Sequence, residues 1–262
     1  MKNKCCCPLK VTIATVTYNA AGLLERTLQS VASQTYASIE HLIIDGNSTD
    51  DTLPLLHRYQ EHNTLAEHPH EIVILSENDN GLYDAMNKAL QMATGDYILF
   101  LNAGDKLHAD DTIERVVAAA TCRPAVVYGD TFIVDNAGHF LRKRRLSPPE
   151  SLSWKSFKWG MLVCHQAFFA QVDIARHQPY DLKYRFSADF DWCIRIMKEA
   201  ALRGQPLVNV HAAVADYLDG GLTTKNHRKS LWERFSIMSH HYGVVPTVAL
   251  HLLFIVRSVI HR

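Results

Sequence analysis

Three strings in this chain bring together side chains able to do chemistry. In Ile43-Ile44-Asp45-Gly46-Asn47-Ser48-Thr49-Asp50 an apolar run ends on a carboxylate. Asp45 can accept hydrogen bonds from a ribose or a nucleobase N–H, and Gly46 lets a ligand approach the backbone. Taken alone, the residue reads equally well as a turn aspartate satisfying its own loop. In Phe100-Leu101-Asn102-Ala103-Gly104-Asp105 a hydrophobic strand delivers Asn102 and then Asp105 onto one rim. Asp105 is a hard oxygen donor of the kind that Mg2+ or Mn2+ takes together with phosphate oxygens, and a cation there would neutralise charge on a departing diphosphate. Helix capping is the alternative, and Asp110 and Asp111 are assigned to capping the next helix. In Ser187-Ala188-Asp189-Phe190-Asp191-Trp192 two carboxylates stand at a helix start. One of them could take a proton from an attacking sugar hydroxyl. A helix dipole also favours acidic residues in a first turn, and spacing does not choose between the two.

Such side chains need elements to hold them. Val11–Val16 is a β-branched run leading into Thr17-Tyr18-Asn19, and Leu24, Leu28 and Val31 form a helical stripe over Leu23–Val31. His41–Ile44, Ile72–Leu75 and Tyr97–Leu101 read as strands running into Asp45–Ser48, Glu77–Gly81 and Asn102–Asp105. Ser48 or Thr49 is expected to cap a helix through Leu53 and Leu56, and helices fit Leu82–Met92 and Thr112–Ala120, the latter followed by a strand over Ala125–Tyr128. Strands alternating with ten-residue helices predict right-handed βαβ units on a parallel sheet, where ligands sit beyond the carboxyl ends of the strands. Polar and acidic residues therefore gather on that rim.

After Gly129 the pattern changes. Thr131–Val134 and Phe140–Arg144 predict a hairpin around Asn136-Ala137-Gly138, Trp154–Trp159 is aromatic and basic, and Val163–Phe169 reads as an apolar strand carrying His165 and Gln166. A lone histidine in such a strand is more often a core residue. A helix over Ala188–Ala200 and late strands over Leu207–Val210 and Val214–Leu218 complete the chain's main body. Neither a repeat nor a linker is evident, which predicts one domain with an appended region.

With 262 residues, 47% apolar and 21% charged, the composition belongs to a globular protein and excludes collagen-like, disordered and disulfide-scaffold classes. The 27 basic and 27 acidic side chains are unevenly shared: residues 1–131 carry 9 Lys/Arg and 17 Asp/Glu, and residues 132–262 carry 18 and 10. An acidic half suits a metal or a hydroxyl-rich ligand, and a basic half suits phosphate or an anionic surface. The chain as a whole is not basic, so nucleic acid is not an expected partner. Six cysteines without a Cys-x-x-Cys pair predict reduced thiols in a cytoplasmic compartment, the triple Cys5–Cys7 belonging to a leader over residues 1–9. Pro8 and Lys10 interrupt any apolar run after Met1, so no secretory signal is expected. The P-loop and dinucleotide glycine motifs are missing, as is His-x-x-x-His. Basic residues from Lys225 to Arg234 precede Val244–Ile260, which is apolar but interrupted by Pro246, His251 and Arg257. Seventeen such residues fall short of a span of about 20. An interfacial helix on an anionic membrane and a helix docked on the protein's own core are equal readings.

Taken together and in order, Val11–Asn19, Asp45–Asp50 and Leu99–Asp105 resemble family 2 glycosyltransferases of the GT-A fold, over roughly residues 10–225. Asn80-Gly81-Leu82-Tyr83-Asp84-Ala85-Met86-Asn87-Lys88 and Ser187–Asp191 are similar to the colanic-acid and related exopolysaccharide branch. The resemblance implies an α/β GT-A architecture with a Rossmann-like, mostly parallel central sheet, an acceptor-side hairpin and helix region, and a C-terminal helical extension. It implies inverting transfer of a sugar from a UDP- or GDP-sugar with Mn2+ or Mg2+. On it, Thr17, Asn19, Asp45, Asn80 and Asn102 hold the nucleotide, Asp105 the metal, and Asp189 is the catalytic base. Where many members read Asp-x-Asp-Asp this chain reads Asn-Ala-Gly-Asp, leaving one carboxylate.

The implied organisation is a nucleotide-sugar half over residues 10–130, an acceptor half over 131–225 and a basic, apolar extension over 226–262. Trp159, His165, Gln166 and Asp191 are expected at the acceptor, with Trp154 and Gly220–Thr224 as further contacts. The basic second half and apolar tail fit an acceptor carried on a polyprenyl diphosphate, reached at the cytoplasmic face of the inner membrane, in exopolysaccharide, capsule or O-antigen synthesis. A sugar nucleotidyltransferase and a non-catalytic nucleotide- or glycan-binding module are the competing readings. The first would usually show a basic loop after the first strand, and Thr17–Leu23 has no Arg or Lys.

Overall fold

The computed structural model of the chain describes residues 8–67, 69–220 and 226–260. The expectations at Cys5–Cys7 and Gly221–Thr224 lie outside those residues. The first β-branched run forms β1 (Val11–Thr17), and β2 (Ile39–Asp45) is likewise buried along its length. Continuous burial is what helices on both faces of a parallel sheet impose. α1 (Ala21–Ala32), α2 (Thr52–Thr64) and α3 (Leu82–Met92) cross between β1, β2, β3 (Glu71–Ser76) and β4 (Tyr97–Phe100). α1 buries Leu24, Thr27, Leu28 and Val31, the stripe read from the sequence. Strand order among the described residues is β3-β2-β1-β4-β8-β6-β9-β5, with β7 (Phe140–Lys143) paired to the end of β6 (Val126–Val134) on the edge opposite β9. The first four strands are parallel, so Thr17, Asp45 and Ser76 end on one edge.

The second half joins through β8 (Phe168–Gln171), antiparallel to both β4 and β6. β9 (Leu207–Leu218) runs parallel to β6, and β5 (Lys106–Leu107) pairs antiparallel with its end. Four local expectations change. The two late strands are one, since His211 adopts φ 56° and the register with β6 shifts around Asp130 without ending the pairing. His165–Ala167 is a 3-10 turn leading into β8, so Val163–Phe169 is not one strand. Neither Ser48 nor Thr49 caps α2; the Thr52 N–H donates to Asp50 Oδ1 at 3.0 Å, and Ser48 is used elsewhere. Asp111 precedes α4 (Thr112–Ala119) without a side-chain cap and pairs instead with Arg115 at 2.7 Å.

Apolar packing beneath the rim is aromatic. Trp192 of α6 (Ala188–Leu202) is fully buried and stacks on Tyr180 at 5.0 Å, with Phe100 and His165 edge-on to it. Beyond α5 (Val172–Arg176) and α6, two C-terminal helices, α7 (His227–Tyr242) and α8 (Val244–Ile260), form a hairpin. α7 docks on the body: Ser230 Oγ meets Ser187 Oγ at 2.8 Å, and the Tyr242 hydroxyl donates to Trp154 O at 2.6 Å.

Gly129 sits mid-strand in β6 because β9 passes close to it. A Cβ there would stand 2.7 Å from Ala212 O and 2.8 Å from Val214 Cγ1. Gly129→Ala must therefore push two paired strands apart, at a cost of about 1–3 kcal/mol. The expected outcome is a lower urea midpoint with an unchanged m-value; an unchanged midpoint would mean that the two strands separate freely.

Candidate active site

The carboxyl edge of β1–β4 carries a connected polar rim. Asp45 is fully buried; its Oδ2 accepts from the Ser48 N–H (2.9 Å) and the Ser76 hydroxyl (2.7 Å), and its Oδ1 accepts from the Ser48 hydroxyl. Ser48 Oγ in turn accepts the Asn19 N–H at 2.8 Å, and Asn19 Oδ1 accepts the Thr49 N–H at 2.8 Å. Asn19 lies in the left-handed region at φ 47°, which asparagine tolerates better than most residues. Asp45 thus builds the turn that shapes the rim and turns none of its oxygens to solvent. Thr17 Oγ1 and Asn102 Oδ1, at the exits of neighbouring β1 and β4, are buried and have no hydrogen-bond partner. Unpaired buried polar atoms are costly, and a pair at strand exits marks a place where a ligand would complete them. Asn80 is exposed; its N–H and amide both donate to Asp84 Oδ2, closing the start of α3.

Two further residues, Tyr18 and Asp79, stand in the strand-end strings that the sequence places on the rim, with no role expected of either. A Cβ on Gly46 would fall 2.6 Å from Asp79 Oδ2 and 3.3 Å from the Tyr18 ring, so the loops after β1, β2 and β3 converge there. Tyr18 is 64% exposed, an aromatic face held open at a polar rim. Asp79 lay within Asn78-Asp79-Asn80-Gly81, a string that reads as turn chemistry.

Across this rim stands the first turn of α6. Asp189 is half-buried, and its Oδ1 accepts from the Tyr83 hydroxyl of α3 at 3.2 Å. Burial, and then the Asp189 charge, push the Tyr83 phenol well above its ordinary range, so it remains a donor. Cys164 and Tyr217 each feel the charges of both Asp105 and Asp189. Tyr217 was missed because nothing in Val214–Leu218 distinguishes it from strand filler.

The expected acceptor residues divide. Trp159 is 44% exposed, with Lys158 Nζ 5.5 Å from its ring centre. His165 is buried, stacked on Phe100, and joined to the Tyr180 hydroxyl at 2.6 Å; burial lowers it to about 4. It is core, neutral and closed to a sugar. Gln166 is buried and donates to Asp105 Oδ2 at 2.9 Å. Asp191 faces away from Asp189, as residues two apart on a helix must. It binds Arg195 Nε and His241 Nε2, both at 2.7 Å. Although burial works against it, those two donors hold its carboxyl below the ordinary range. Trp154 stacks on Tyr242 at 5.8 Å and serves the docking of α7.

Asp105 does not match a cation ligand. It is 4% exposed, its Oδ1 accepts the Leu218 N–H at 2.9 Å, and Gln166 occupies Oδ2. Burial pushes its carboxyl up to about 7 against the opposing hydrogen bonds. No other carboxylate belongs to Asn102–Asp105, and no group of three or more His, Cys, Asp or Glu side chains among the described residues is set to hold a metal. Asp105 instead ties β9 to the turn ahead of β8.

The family model for glycosyl transferase family 2 matches residues 12–176. The chain belongs to that family. A PGL/p-HBAD biosynthesis glycosyltransferase of Mycobacterium bovis is 34% identical over 89% of this chain and 86% of its own length. The amylovoran biosynthesis glycosyltransferase AmsB of Erwinia amylovora is 28% identical over 74% of this chain and 67% of its own. Among solved structures, S. aureus TarS in complex with UDP-GlcNAc superposes with TM-score 0.63 at 14% identity, over 92% of this chain and 70% of that one. The mannosyltransferase PcManGT from Pyrobaculum calidifontis, in complex with GDP-Man and Mn2+, gives 0.62 at 16% identity, over 92% and 74%. The family 2 chain is thus a glycosyltransferase with the GT-A architecture, and the rim at β1–β4 is the edge at which α/β sheets take their ligands.

Asp105 carries a pH signature. Held at about 7 in the fold against an ordinary 3.8, it keeps its proton natively where the unfolded chain has lost it. Its contribution is fully present below pH 4 and is lost as pH rises through 7. Asp105→Asn should flatten the wild-type fall in Tm across pH 4–7 and be no less stable at pH 8. Parallel Tm curves for the two proteins would show that Asp105 ionises without penalty.

Proposed function

We propose that this glycosyltransferase works by inversion, moving a sugar from a UDP- or GDP-sugar to a saccharide carried on a polyprenyl diphosphate. The observation that carries the reading is the Tyr83–Asp189 hydrogen bond, which sets a half-buried carboxylate beside the strand-end rim. Residues 10–130 take the donor. Thr17 and Asn102 offer unpaired buried oxygens to it, Asn19 and Asp45 shape the turn beneath it, and Asn80 borders it on the β3–α3 loop. Residues 131–225 take the acceptor, with Trp159 as the exposed aromatic face for a sugar ring.

In the reaction Asp189 accepts the proton of the acceptor hydroxyl as its oxygen bonds to the anomeric carbon. The bond from that carbon to the diphosphate oxygen breaks on the opposite face, and the nucleoside diphosphate departs with the electron pair. The reading takes Mn2+ or Mg2+ in with the donor, since Asp105 is committed elsewhere; a bound cation would neutralise charge on the leaving diphosphate. Support for the donor class comes from the UDP-GlcNAc and GDP-Man complexes of the two structural neighbours, and for a polysaccharide product from the amylovoran relative. The enzyme would act at the cytoplasmic face of the membrane that bears its acceptor, with the C-terminal helices in contact with it. No helix among the described residues is long and apolar enough to cross that membrane.

Asp189→Asn should lower transfer by about 10²–10⁴ with donor affinity unchanged. Near-normal transfer by this variant would remove Asp189 from the role. Release of pyrophosphate from candidate sugar nucleotides would point to a nucleotidyltransferase instead. Tyr83→Phe removes a hydrogen bond that orients the Asp189 carboxylate, so kcat should fall by about tenfold or more while donor affinity holds. An unchanged kcat would show that Tyr83 only packs.

A further inference from the structure

The C-terminal hairpin has an outward face that the body does not cover. On α8 the side turned from the protein presents Val245, Val248 and Leu252, which are 80%, 41% and 60% exposed. From Val244 to Phe254 that helix carries no Asp, Glu, Lys or Arg. On α7, Trp232 is 76% exposed and continues through Phe235 (6.4 Å) to His251 of α8 (5.1 Å), so both helices share one aromatic seam. A contiguous apolar strip of this kind on a protein surface marks an interaction site.

The charge around the strip identifies what it meets. Residues 226–262 hold five Lys/Arg against one acidic side chain, Glu233. Glu233 is turned inward, where its two oxygens accept the Arg185 and Phe186 N–H groups at 2.8 Å each. The exposed charges near Trp232 are therefore Arg228 and Lys229, both cationic. A second copy of the chain would bring the same cations against them. An anionic bilayer accepts both features, taking the apolar side chains and indole below its headgroups and the cations among them.

We propose that Trp232, Val245, Val248 and Leu252, flanked by Arg228 and Lys229, form a docking face for an anionic membrane surface, with α8 lying in the plane of the bilayer. The inference rests on the reading that the acceptor is membrane-borne, and it names the surface by which the enzyme reaches it. The geometry separates two contributions. The cations set attraction and its salt dependence, and the apolar strip sets residence.

The test uses the full chain and sedimentation with vesicles of neutral phosphatidylcholine, alone or mixed with anionic phosphatidylglycerol. Binding to the anionic vesicles alone, weakening with salt and blue-shifting a tryptophan emission that Trp232→Phe abolishes, is the expected result. Val245→Glu with Leu252→Glu, and separately Arg228→Glu with Lys229→Glu, should each weaken binding at least tenfold while metal-supplemented hydrolysis of the sugar nucleotide in solution stays at the wild-type rate. No binding to either vesicle, or equal binding to both that charge reversal leaves unchanged, would overturn the proposal. So would a dimer, seen by light scattering, that Val245→Glu with Leu252→Glu dissociates in the absence of vesicle binding. Asp189→Asn separates the two readings: it should bind vesicles as the wild type does, whatever becomes of transfer.

Discussion

Asp105 holds together three segments that are far apart in sequence. Its carboxylate takes the Leu218 N–H at the end of β9 and the Gln166 amide ahead of β8, and its own carbonyl accepts the Thr27 hydroxyl of α1 at 2.6 Å. Thr27 Oγ1 in the same place accepts the Gly104 N–H at 2.9 Å. Burying a carboxylate costs several kcal/mol unless its oxygens are paired, and here every carboxylate partner is a neutral dipole. Desolvation therefore still wins, which is why the carboxyl rises to about 7. A residue whose type suggests a cation ligand is occupied in tying the end of β9 to the turn ahead of β8.

Other bonds join the same two parts of the chain: β5 pairs with β9, Asn87 exchanges two hydrogen bonds with the Tyr180 backbone, and His108 meets Asp216 at 2.8 Å. β8 has four residues and is the strand lying between β4 and β6. The stack of Phe100, His165, Tyr180 and Trp192 fills the space beside it, and only above that stack does Tyr83 reach Asp189. The hydrophobic effect brings the halves into contact without fixing their orientation; directional bonds, those at Asp105 and Asp189 among them, fix it.

The βαβ half of the chain was legible in the sequence because its determinants are local. A β-branched run of period two, a turn string and a stripe at 3.6 residues each specify an element without reference to the rest of the chain. Parallel order then follows from connection length, and the rim from parallel order. The chain beyond Gly129 was less legible for a matching reason. His165 and Gln166 are polar residues in an apolar run, and whether they face a ligand or each satisfy a buried partner depends on Tyr180 and Asp105, 15 and 61 positions away. Asn80 and Trp154 show the same limit. Each looks like a contact residue by type, yet one closes the start of α3 and the other receives α7. Tyr18 and Asp79 were on the rim by the sequence but without a role, because turn residues and rim residues share a composition.

Asp189 and Asp191 show how far one helix can divide its work. Ahead of α6, Glu233 from α7 takes the Arg185 and Phe186 N–H groups, and Ser230 meets Ser187 at the entry to the helix. One turn in, His241 and Arg195 grip Asp191 on the face turned from the rim. The first turn of α6 is thus bound on its outer side by three contacts from α7, and Asp189 projects from its inner side toward Tyr83. Two carboxylates that the dipole of the helix favours equally are separated by their partners: the one held by the Arg195 guanidinium and the His241 imidazole anchors the helix, and the one with a phenol donor stays half-buried beside Tyr83. The C-terminal extension is for that reason structurally continuous with α6. Whatever holds α7 also holds the carboxylate that faces the rim.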